Sequence, residues 1–263
     1  MGKDRPRRCA EGAFLLSGAP ARTERAEGDA ASFTPRRLYG RSKGKALRPG
    51  QARLMDERLP ELLLDLSTPA PLSTPAPLST PALFAAPVRA VRLEIGFGGG
   101  EHLVAAAARE PDVGFIGCEP FVNGMARLLA RITAQGLANI RLHQGDAIEV
   151  VDRLPDASLD RVYLFYPDPW PKRRHRKRRI VSPQTLAKLA RVMAPGAQLR
   201  FATDIDDYAG WTLARLRASP DFVWKAARAQ DWRVPWDGWT QTKYEAKAMA
   251  AGRDPVYLTF ERR

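Results

Sequence analysis

The stretch LEIGFGGG, residues 93–100, joins an apolar strand to a glycine turn. Gly96, Gly98 and Gly100 allow a tight turn and let a ligand approach the backbone where a helix begins. After Val88, apolar runs typical of buried parallel strands alternate with segments of helical length. This alternation predicts a doubly wound α/β sheet with helices on both faces.

The alternation also predicts where the elements lie. We expect strands near residues 89–95, 113–118, 139–143, 159–165, 197–203 and 255–261. Helices are expected near residues 101–109, 121–135, 182–193 and 205–217. Ligands of such sheets bind at the carboxyl ends of the strands, so the residues that close each strand are the site candidates.

Carboxylates stand at the ends of the first three predicted strands. Glu119 follows the glycine turn by about 20 residues, a spacing at which a carboxylate binds both hydroxyls of a ribose; alternatively it is a helix N-terminal charge. Asp146 is placed to meet the edge of an adenine, to cap the next helix, or both. Glu94, just before the turn, would repel a pyrophosphate. The set favours S-adenosylmethionine over NAD.

The fourth strand runs into FYPDPWPKRRHRKRR, residues 165–179. Asp168 lies in its proline-rich turn, and eight basic residues follow from Lys172 onwards without an acidic one. A carboxylate beside a polycation indicates chemistry performed next to a bound polyanion. The fifth strand ends at Asp204, which either contacts the substrate or caps the following helix.

Composition narrows the class of partner. The net charge of +13 and the pI near 10.2 favour nucleic acid, although proteins that bind membrane surfaces share such a charge. Cys9 and Cys118 are far apart, and His102, His143 and His175 are scattered, so we expect neither a disulfide framework nor a metal site. The chain has no signal-peptide core and no apolar run long enough to span a membrane. We therefore expect a cytoplasmic protein without a membrane partner.

The sequence predicts three regions. Residues 1–53 form a basic extension that is expected to be disordered; within it, residues 36–53 either follow a phosphate backbone or remain a flexible arm. Residues 54–87 combine a short helix over residues 54–66 with an STPAP repeat, whose prolines indicate an extended spacer. Residues 88–263 form the folded domain.

Several motifs together carry a resemblance over residues 88–263. The set EIGFGGG, GCEP, GDA, YPDPWPK with its basic run, ATD and TKYE resembles the bacterial tRNA (guanine-N7)-methyltransferases. The proline-rich turn followed by basic residues is the most specific part, because other methyltransferases share only the glycine turn. The resemblance implies a Rossmann-like class I methyltransferase with a seven-stranded, mostly parallel sheet, S-adenosylmethionine as cofactor and tRNA as partner. The family substrate is the guanine at position 46 of the tRNA variable loop, which becomes 7-methylguanosine.

The resemblance also implies roles for residues. Its catalytic aspartate falls on Asp168. The cofactor-binding positions are Glu94, Gly96, Gly98, Glu119 and Asp146. The substrate-binding positions are Lys172, Asp204, Thr242, Lys243, Tyr244 and Glu245. The RNA-binding positions are Arg174, His175, Arg176, Lys177, Arg178 and Arg179.

Chemistry suggests what Asp168 would do. Guanine N7 has a lone pair and no proton, so positioning matters more than deprotonation. Asp168 is expected to accept hydrogen bonds from guanine N1–H and the exocyclic amine. Trp232, Trp236 and Trp239 either stack on bases or, as we favour, pack under the last strand.

Three other functions remain open. A dehydrogenase explains the glycine turn and Glu119, but neither the proline-rich turn nor the polycation. A non-catalytic RNA-binding protein explains the charge, but not the carboxylates at the strand ends. A methyltransferase with a protein or small-molecule acceptor is also compatible, because cofactor motifs do not identify the acceptor. The sequence gives no oligomeric state.

Overall fold

A computed structural model of the chain describes residues 39–66 and 83–263. Its strands are β1 Ala90–Ile95, β2 Val113–Cys118, β3 Ile140–His143, β4 Leu159–Phe165, β5 Met193–Thr203, β6 Phe222–Trp224 and β7 Val256–Arg262. They form one sheet in the order β3-β2-β1-β4-β5-β7-β6. Strands β1 to β5 pair in parallel, and β7 runs antiparallel to β5 and β6. The predicted seven-stranded, mostly parallel sheet is confirmed.

Helices cover both faces of this sheet. They are α1 Pro49–Glu57, α2 Leu59–Leu62, α3 Glu101–Arg109, α4 Val122–Gln135, α5 Ala147–Val151, α6 Pro183–Val192, α7 Asp206–Ala218, α8 Gln230–Arg233 and α9 Lys243–Ala250. A 3₁₀ helix, Arg173–Arg178, lies between β4 and α6. None of the helices in the described residues is long and apolar enough to cross a membrane.

Within residues 88–263 the six predicted strands and four predicted helices are all present, with ends within one residue except that β5 begins four residues early, at Met193. The helix predicted over residues 54–66 is instead two helices, α1 and α2. Strand β6 and helices α5, α8 and α9 were not predicted. Each has eight residues or fewer, which is too short for a hydrophobic period to stand out.

The core lies on both faces of the sheet, because successive side chains of a strand point to opposite faces. Leu93 and Ile95 of β1 belong to one hydrophobic cluster, which includes side chains of α5, α6 and α7. Phe115 of β2 belongs to a second cluster with α3 and α4. Glu94 points away from Leu93, so its carboxylate lies on the side of the second cluster.

The arm before β1 packs on the domain. Helix α1 begins at Pro49, so residues 49–53 are helical where we predicted disorder; the fixed φ of proline suits the first helical turn. Leu59 and Leu62 of α2 enter the second cluster, and Leu64 N–H donates to Leu142 O at 2.8 Å. Folded structure thus precedes the predicted start near Val88. The predicted disorder of residues 1–38 and the STPAP repeat lie outside the described residues.

Candidate active site

A cleft of about 360 Å³ opens at the carboxyl ends of β1, β2, β3 and β4. Four residues that the sequence predicted for the site line this cleft, and each follows a different strand: Gly96, Glu119, Asp146 and Asp168. Of the other predicted residues, Gly98, Tyr244 and Arg178 also line it. The fold thus brings together predicted site residues that are up to 148 positions apart, from Gly96 to Tyr244, in one recess.

The glycine turn forms one wall of the cleft. Gly96 has φ 75° and Gly98 has φ 59°, conformations that favour glycine. A Cβ at Gly96 would meet no atom within 4 Å, so the backbone there faces open space that a ligand can fill. A Cβ at Gly98 would lie 3.0 Å from the Tyr244 ring. The turn is therefore open at Gly96 and covered by Tyr244 at Gly98.

Glu119 follows β2 and is bound by backbone donors. Gly98 N–H donates to its Oε2 at 2.7 Å, and Phe121 N–H donates to its Oε1 at 3.0 Å. Burial raises the pKa of Glu119, and the two N–H donors oppose that rise. Each oxygen keeps a lone pair, so the carboxylate is held in place and can still accept hydrogen bonds from a diol.

The two carboxylate oxygens of Asp146 differ in their partners among the described residues. Its Oδ1 accepts from Ile148 N–H at 3.0 Å, which makes Asp146 the N-cap of α5. Its Oδ2 is buried and has no hydrogen-bond partner among the described residues. An unpartnered buried acceptor is costly, so a ligand that donates a hydrogen bond, such as an adenine amino group, fits this position. The two predicted roles of Asp146 are therefore geometrically compatible.

The turn that carries Asp168 has an unusual backbone. Tyr166 has φ 48° and Trp170 has φ 42°, left-handed values that are uncommon outside glycine. Asp168 lies midway between them and opens onto the cleft. Although the side chain is exposed, the surrounding protein raises the pKa of Asp168 by desolvation. Strained backbone of this kind concentrates at functional sites.

Residues 39–48, the part of the arm that precedes α1, contribute a wall of the cleft that was not predicted. Tyr39, Gly40 and Arg41 line the cleft, and a Cβ at Gly40 would lie 3.3 Å from Asp168 Oδ2. The only sequence signal was the basic character of residues 36–53, for which we had left contact with a phosphate backbone or a flexible arm open.

Asn123, near the start of α4, holds this arm. Its Oδ1 accepts from Gly44 N–H and its Nδ2–H donates to Lys45 O, both at 2.7 Å. Val122 N–H donates to Ser42 O at 2.9 Å. Two backbone segments 79 residues apart are thereby joined, a contact that no local sequence pattern encodes.

Arg178 lies between the arm and the Asp168 turn. Its guanidinium carbon is 4.5 Å from the ring centroid of Tyr39 and 4.9 Å from that of Trp170. The two rings make an edge contact with centroids 6.2 Å apart. Cation–π contacts of this kind are attractive, so Arg178 joins the arm to the turn.

The basic run is not uniform. Lys172, Arg173, Arg174 and Lys177 are exposed, whereas His175, Arg176 and Arg178 are half-buried. Arg176 Nη2–H donates to Asp207 Oδ1 at 2.7 Å. Desolvation and the surrounding cations lower the pKa of His175, so its ring is neutral at pH 7.

Arg179 differs from its prediction as an RNA-binding residue. Its side chain has 0% exposure, so its guanidinium is not accessible to a phosphate. The sequence could not reveal this, because Arg179 continues an unbroken run of basic residues. Arg179 is buried, whereas the other seven residues of the basic run are exposed or half-buried.

Glu245 also differs from its prediction. It is buried, and its carboxylate accepts from Trp239 Nε1–H at 2.7 Å and from the Tyr257 hydroxyl. Thr242 Oγ1 accepts from Glu245 N–H at 3.2 Å and caps α9. The TKYE motif thus presents Tyr244 to the cleft, while Glu245 braces the aromatic cluster. Lys243 is exposed beside the Tyr244 ring, and desolvation lowers its pKa.

Two further carboxylates lie outside the lining of the cleft. Glu94 Oε2 lies 2.7 Å from His102 Nδ1, within hydrogen-bond distance, and both side chains are buried. Asp204 accepts from Arg253 Nε–H at 2.6 Å, and the N-cap of α7 is Ile205. Glu94 and Asp204 therefore do not line the cleft, and their predicted contacts with a ligand stay predictions.

The tryptophan cluster packs in the protein. Trp236 and Trp239 contact Phe165 and Tyr257 with ring centroids 4.8–5.8 Å apart. Trp236 Nε1–H donates to Thr259 Oγ1 at 2.7 Å. Trp232 packs against the first hydrophobic cluster. The favoured alternative, packing rather than stacking on bases, matches these contacts.

Comparisons with known proteins show which proteins this chain is similar to. The family model described as "Putative methyltransferase" matches residues 88–258. The "tRNA (guanine-N(7)-)-methyltransferase" of Chelativorans sp. is 53% identical over 225 residues, which cover 86% of this chain and 94% of that protein. The protein of the same name from Mesorhizobium japonicum is 52% identical over 235 residues, covering 89% and 98%. The solved 16S rRNA methyltransferase KamB is 18% identical, covers 67% of this chain and 89% of its own, and superposes with a TM-score of 0.49.

The sheet order, the antiparallel β7 and the glycine turn at the head of the cleft define a class I methyltransferase. The sequence identity of 52–53% along most of both chains identifies the family more narrowly than the fold does. This chain belongs to the tRNA (guanine-N(7)-)-methyltransferase family, so the resemblance carried by its motifs is confirmed.

Proposed function

We propose that this chain transfers a methyl group from S-adenosylmethionine to N7 of guanine in tRNA, at position 46 of the variable loop. The observation that carries the proposal is the single cleft onto which Asp168, Gly96, Glu119 and Asp146 all open. A nucleoside site and a carboxylate suited to a second base lie together there. Family membership supports the reaction and the acceptor.

The cofactor half of the cleft fits an adenosine. Glu119 would bind the ribose hydroxyls with oxygens that Gly98 N–H and Phe121 N–H already orient. Asp146 would accept a hydrogen bond at Oδ2, the atom without a partner among the described residues. Gly96 leaves room for the ligand against the backbone. When bound, S-adenosylmethionine supplies an electrophilic sulfonium methyl group.

The acceptor half is organised by Asp168. Because guanine N7 bears a lone pair and no proton, the protein need not supply a strong base. An ionised Asp168 can accept from guanine N1–H and the exocyclic amine, which fixes the ring and offsets the positive charge that methylation creates. Catalysis then rests on positioning and electrostatics, and a rigid turn is what such a role requires.

The basic run would bind the RNA backbone. Its exposed members are free to pair with phosphates: Lys172, Arg173, Arg174 and Lys177. His175, Arg176 and Arg178 lie on the same 3₁₀ helix and are half-buried. Pairing with phosphates releases counterions and gives affinity that falls steeply with salt. Since the run begins four residues after Asp168, a phosphate bound there places nearby bases next to the cleft.

Nucleoside mass spectrometry tests the proposal. The purified chain is incubated with S-adenosylmethionine and an unmodified tRNA transcript, and the digest is analysed for 7-methylguanosine. A second transcript carries adenine in place of the guanine at position 46. The proposal predicts product from the first transcript only. No product from either would overturn the reaction, whereas equal product from both would overturn the position alone.

A further inference from the structure

Arg179 has an environment unlike that of any other member of the basic run. Its Nε–H donates to Pro169 O at 2.7 Å, and its Nη2–H donates to Asp207 Oδ2. The guanidinium carbon lies 4.7 Å from the Tyr208 ring centroid and 4.8 Å from that of Trp211. Arg179 therefore connects the residue after Asp168 to helix α7.

Burying a guanidinium is unfavourable unless it is paired and hydrogen-bonded. Arg179 meets most of that condition. Its Nε–H and Nη2–H donate to a carbonyl and a carboxylate, and two aromatic rings lie beside the guanidinium. Its Nη1 is buried and has no hydrogen-bond partner among the described residues. The planar guanidinium suits this arrangement, because it can stack between rings while its edges donate in fixed directions. The hydrogen bond from the Arg179 guanidinium also lowers the pKa of Asp207 below its usual value.

The Asp168 turn needs such an anchor. Left-handed φ values at Tyr166 and Trp170 cost of order 1–3 kcal/mol each, and they persist only where surrounding contacts hold them. Upstream of Asp168, Tyr166 N–H donates to Ala202 O at 2.8 Å. Downstream, the bond from Arg179 to Pro169 O restrains the adjoining peptide.

We propose that Arg179 is a positioning residue for methyl transfer, which fixes the Asp168 turn by holding the Pro169 carbonyl against α7. This inference rests on the proposed function and adds a residue to it. Arg179 does not touch the substrate, because its side chain is buried. Its effect on the reaction passes through the placement of Asp168.

Loss of the anchor should affect the chemical step and spare binding. A displacement of about 1 Å in a catalytic group can cost about 100-fold in rate. The exposed cations that would bind phosphates, and the Glu119 and Asp146 positions, do not depend on the Pro169 carbonyl. The rate at saturating substrate and the affinities should therefore separate.

Arg179→Lys is the direct test. Lysine keeps the charge, but one ammonium cannot reproduce the planar fork that reaches Pro169 O and Asp207 together. We expect the single-turnover rate of methyl transfer to fall about 10- to 100-fold, while affinity for S-adenosylmethionine and the salt dependence of tRNA binding stay unchanged. Arg217→Lys makes the same exchange at an exposed position of α7, and its rate should equal that of the wild type.

The outcomes are distinguishable. A wild-type rate in Arg179→Lys would overturn the inference, as would a rate loss matched by an equal loss of cofactor binding, which indicates general disruption of the fold. If Arg179→Lys does not fold, Asp207→Asn decides, because it weakens the anchor from the half-exposed partner; an unchanged rate there also overturns it. A wild-type protein that forms no 7-methylguanosine overturns the proposed function instead.

Discussion

Removing the side chain of Asn123 should release the arm that lies beside Asp168. Asn123→Ala deletes two hydrogen bonds of 2.7 Å, to Gly44 N–H and Lys45 O, and leaves the bond from Val122 N–H to Ser42 O. A hydrogen bond contributes about 1 kcal/mol net, so the loss is about 2 kcal/mol. That free energy shifts the equilibrium between docked and undocked arm about 30-fold, since 1.4 kcal/mol is tenfold.

Limited trypsin digestion measures this shift. Cleavage after Arg41, Lys43 and Lys45, followed by mass spectrometry, tracks the undocked fraction when docking is fast relative to cleavage. Asn123→Ala should therefore be cut there about 30-fold faster than the wild type. Gln135→Ala, exposed at the other end of α4, is the control and should be cut at the wild-type rate. Equal rates for Asn123→Ala and the wild type would refute the assignment of Asn123 as the latch.

Three further predictions follow from the cleft and the basic run. Replacing the exposed Arg173, Arg174 and Lys177 with glutamine should reduce the slope of log affinity for tRNA against log salt concentration by about 0.7–0.9 per lost phosphate contact, with cofactor affinity unchanged. Gel-shift titrations at several salt concentrations measure this slope. An unchanged slope would mean that the basic run is only a solvated surface. Asp146→Asn should weaken binding of S-adenosylmethionine, measured by calorimetry, without lowering Tm, because asparagine still caps a helix. Asp146→Ala should weaken binding and also lower the free energy of unfolding by about 1 kcal/mol. Wild-type affinity for S-adenosylmethionine in both variants would exclude Asp146 from the site. Finally, desolvation raises the pKa of Asp168 above the usual value of about 3.9. Because the ionised form is the hydrogen-bond acceptor, kcat/KM should fall as the pH is lowered through that raised pKa. A pH profile of kcat/KM that is flat through this range would contradict the role of the ionised form.

The sheet and the position of the cleft were predictable because they depend on local patterns. Buried parallel strands are continuous apolar runs, and their carboxyl ends carry the ligand residues. Gly96, Glu119, Asp146 and Asp168 were selected in this way, and all four line the cleft. Asp146 shows how far such reasoning extends. Its Oδ1 caps α5, whereas Oδ2, the atom proposed to bind the ligand, has no partner among the described residues.

The errors share a cause, which is that the direction of a side chain is set by tertiary contacts. Arg179 and Arg178 are neighbours in one basic run, yet one is enclosed by α7 and the other lines the cleft. Glu245 follows Tyr244 on α9, and the two side chains point to the core and to the cleft respectively. The docking of the arm depends on Asn123, which is an ordinary polar residue by sequence alone.

The role that we propose for Asp168 is to orient guanine for methyl transfer. Its most direct test compares Asp168→Asn with the wild type in single-turnover methylation of tRNA and in gel-shift binding of the same tRNA. Hydrogen bonds to a charged group contribute about 1.5–3 kcal/mol, so the rate should fall roughly 10- to 150-fold. The affinity for tRNA should stay near the wild-type value, because the exposed basic run is intact. A rate loss that is no larger than the loss of tRNA affinity would contradict the claim.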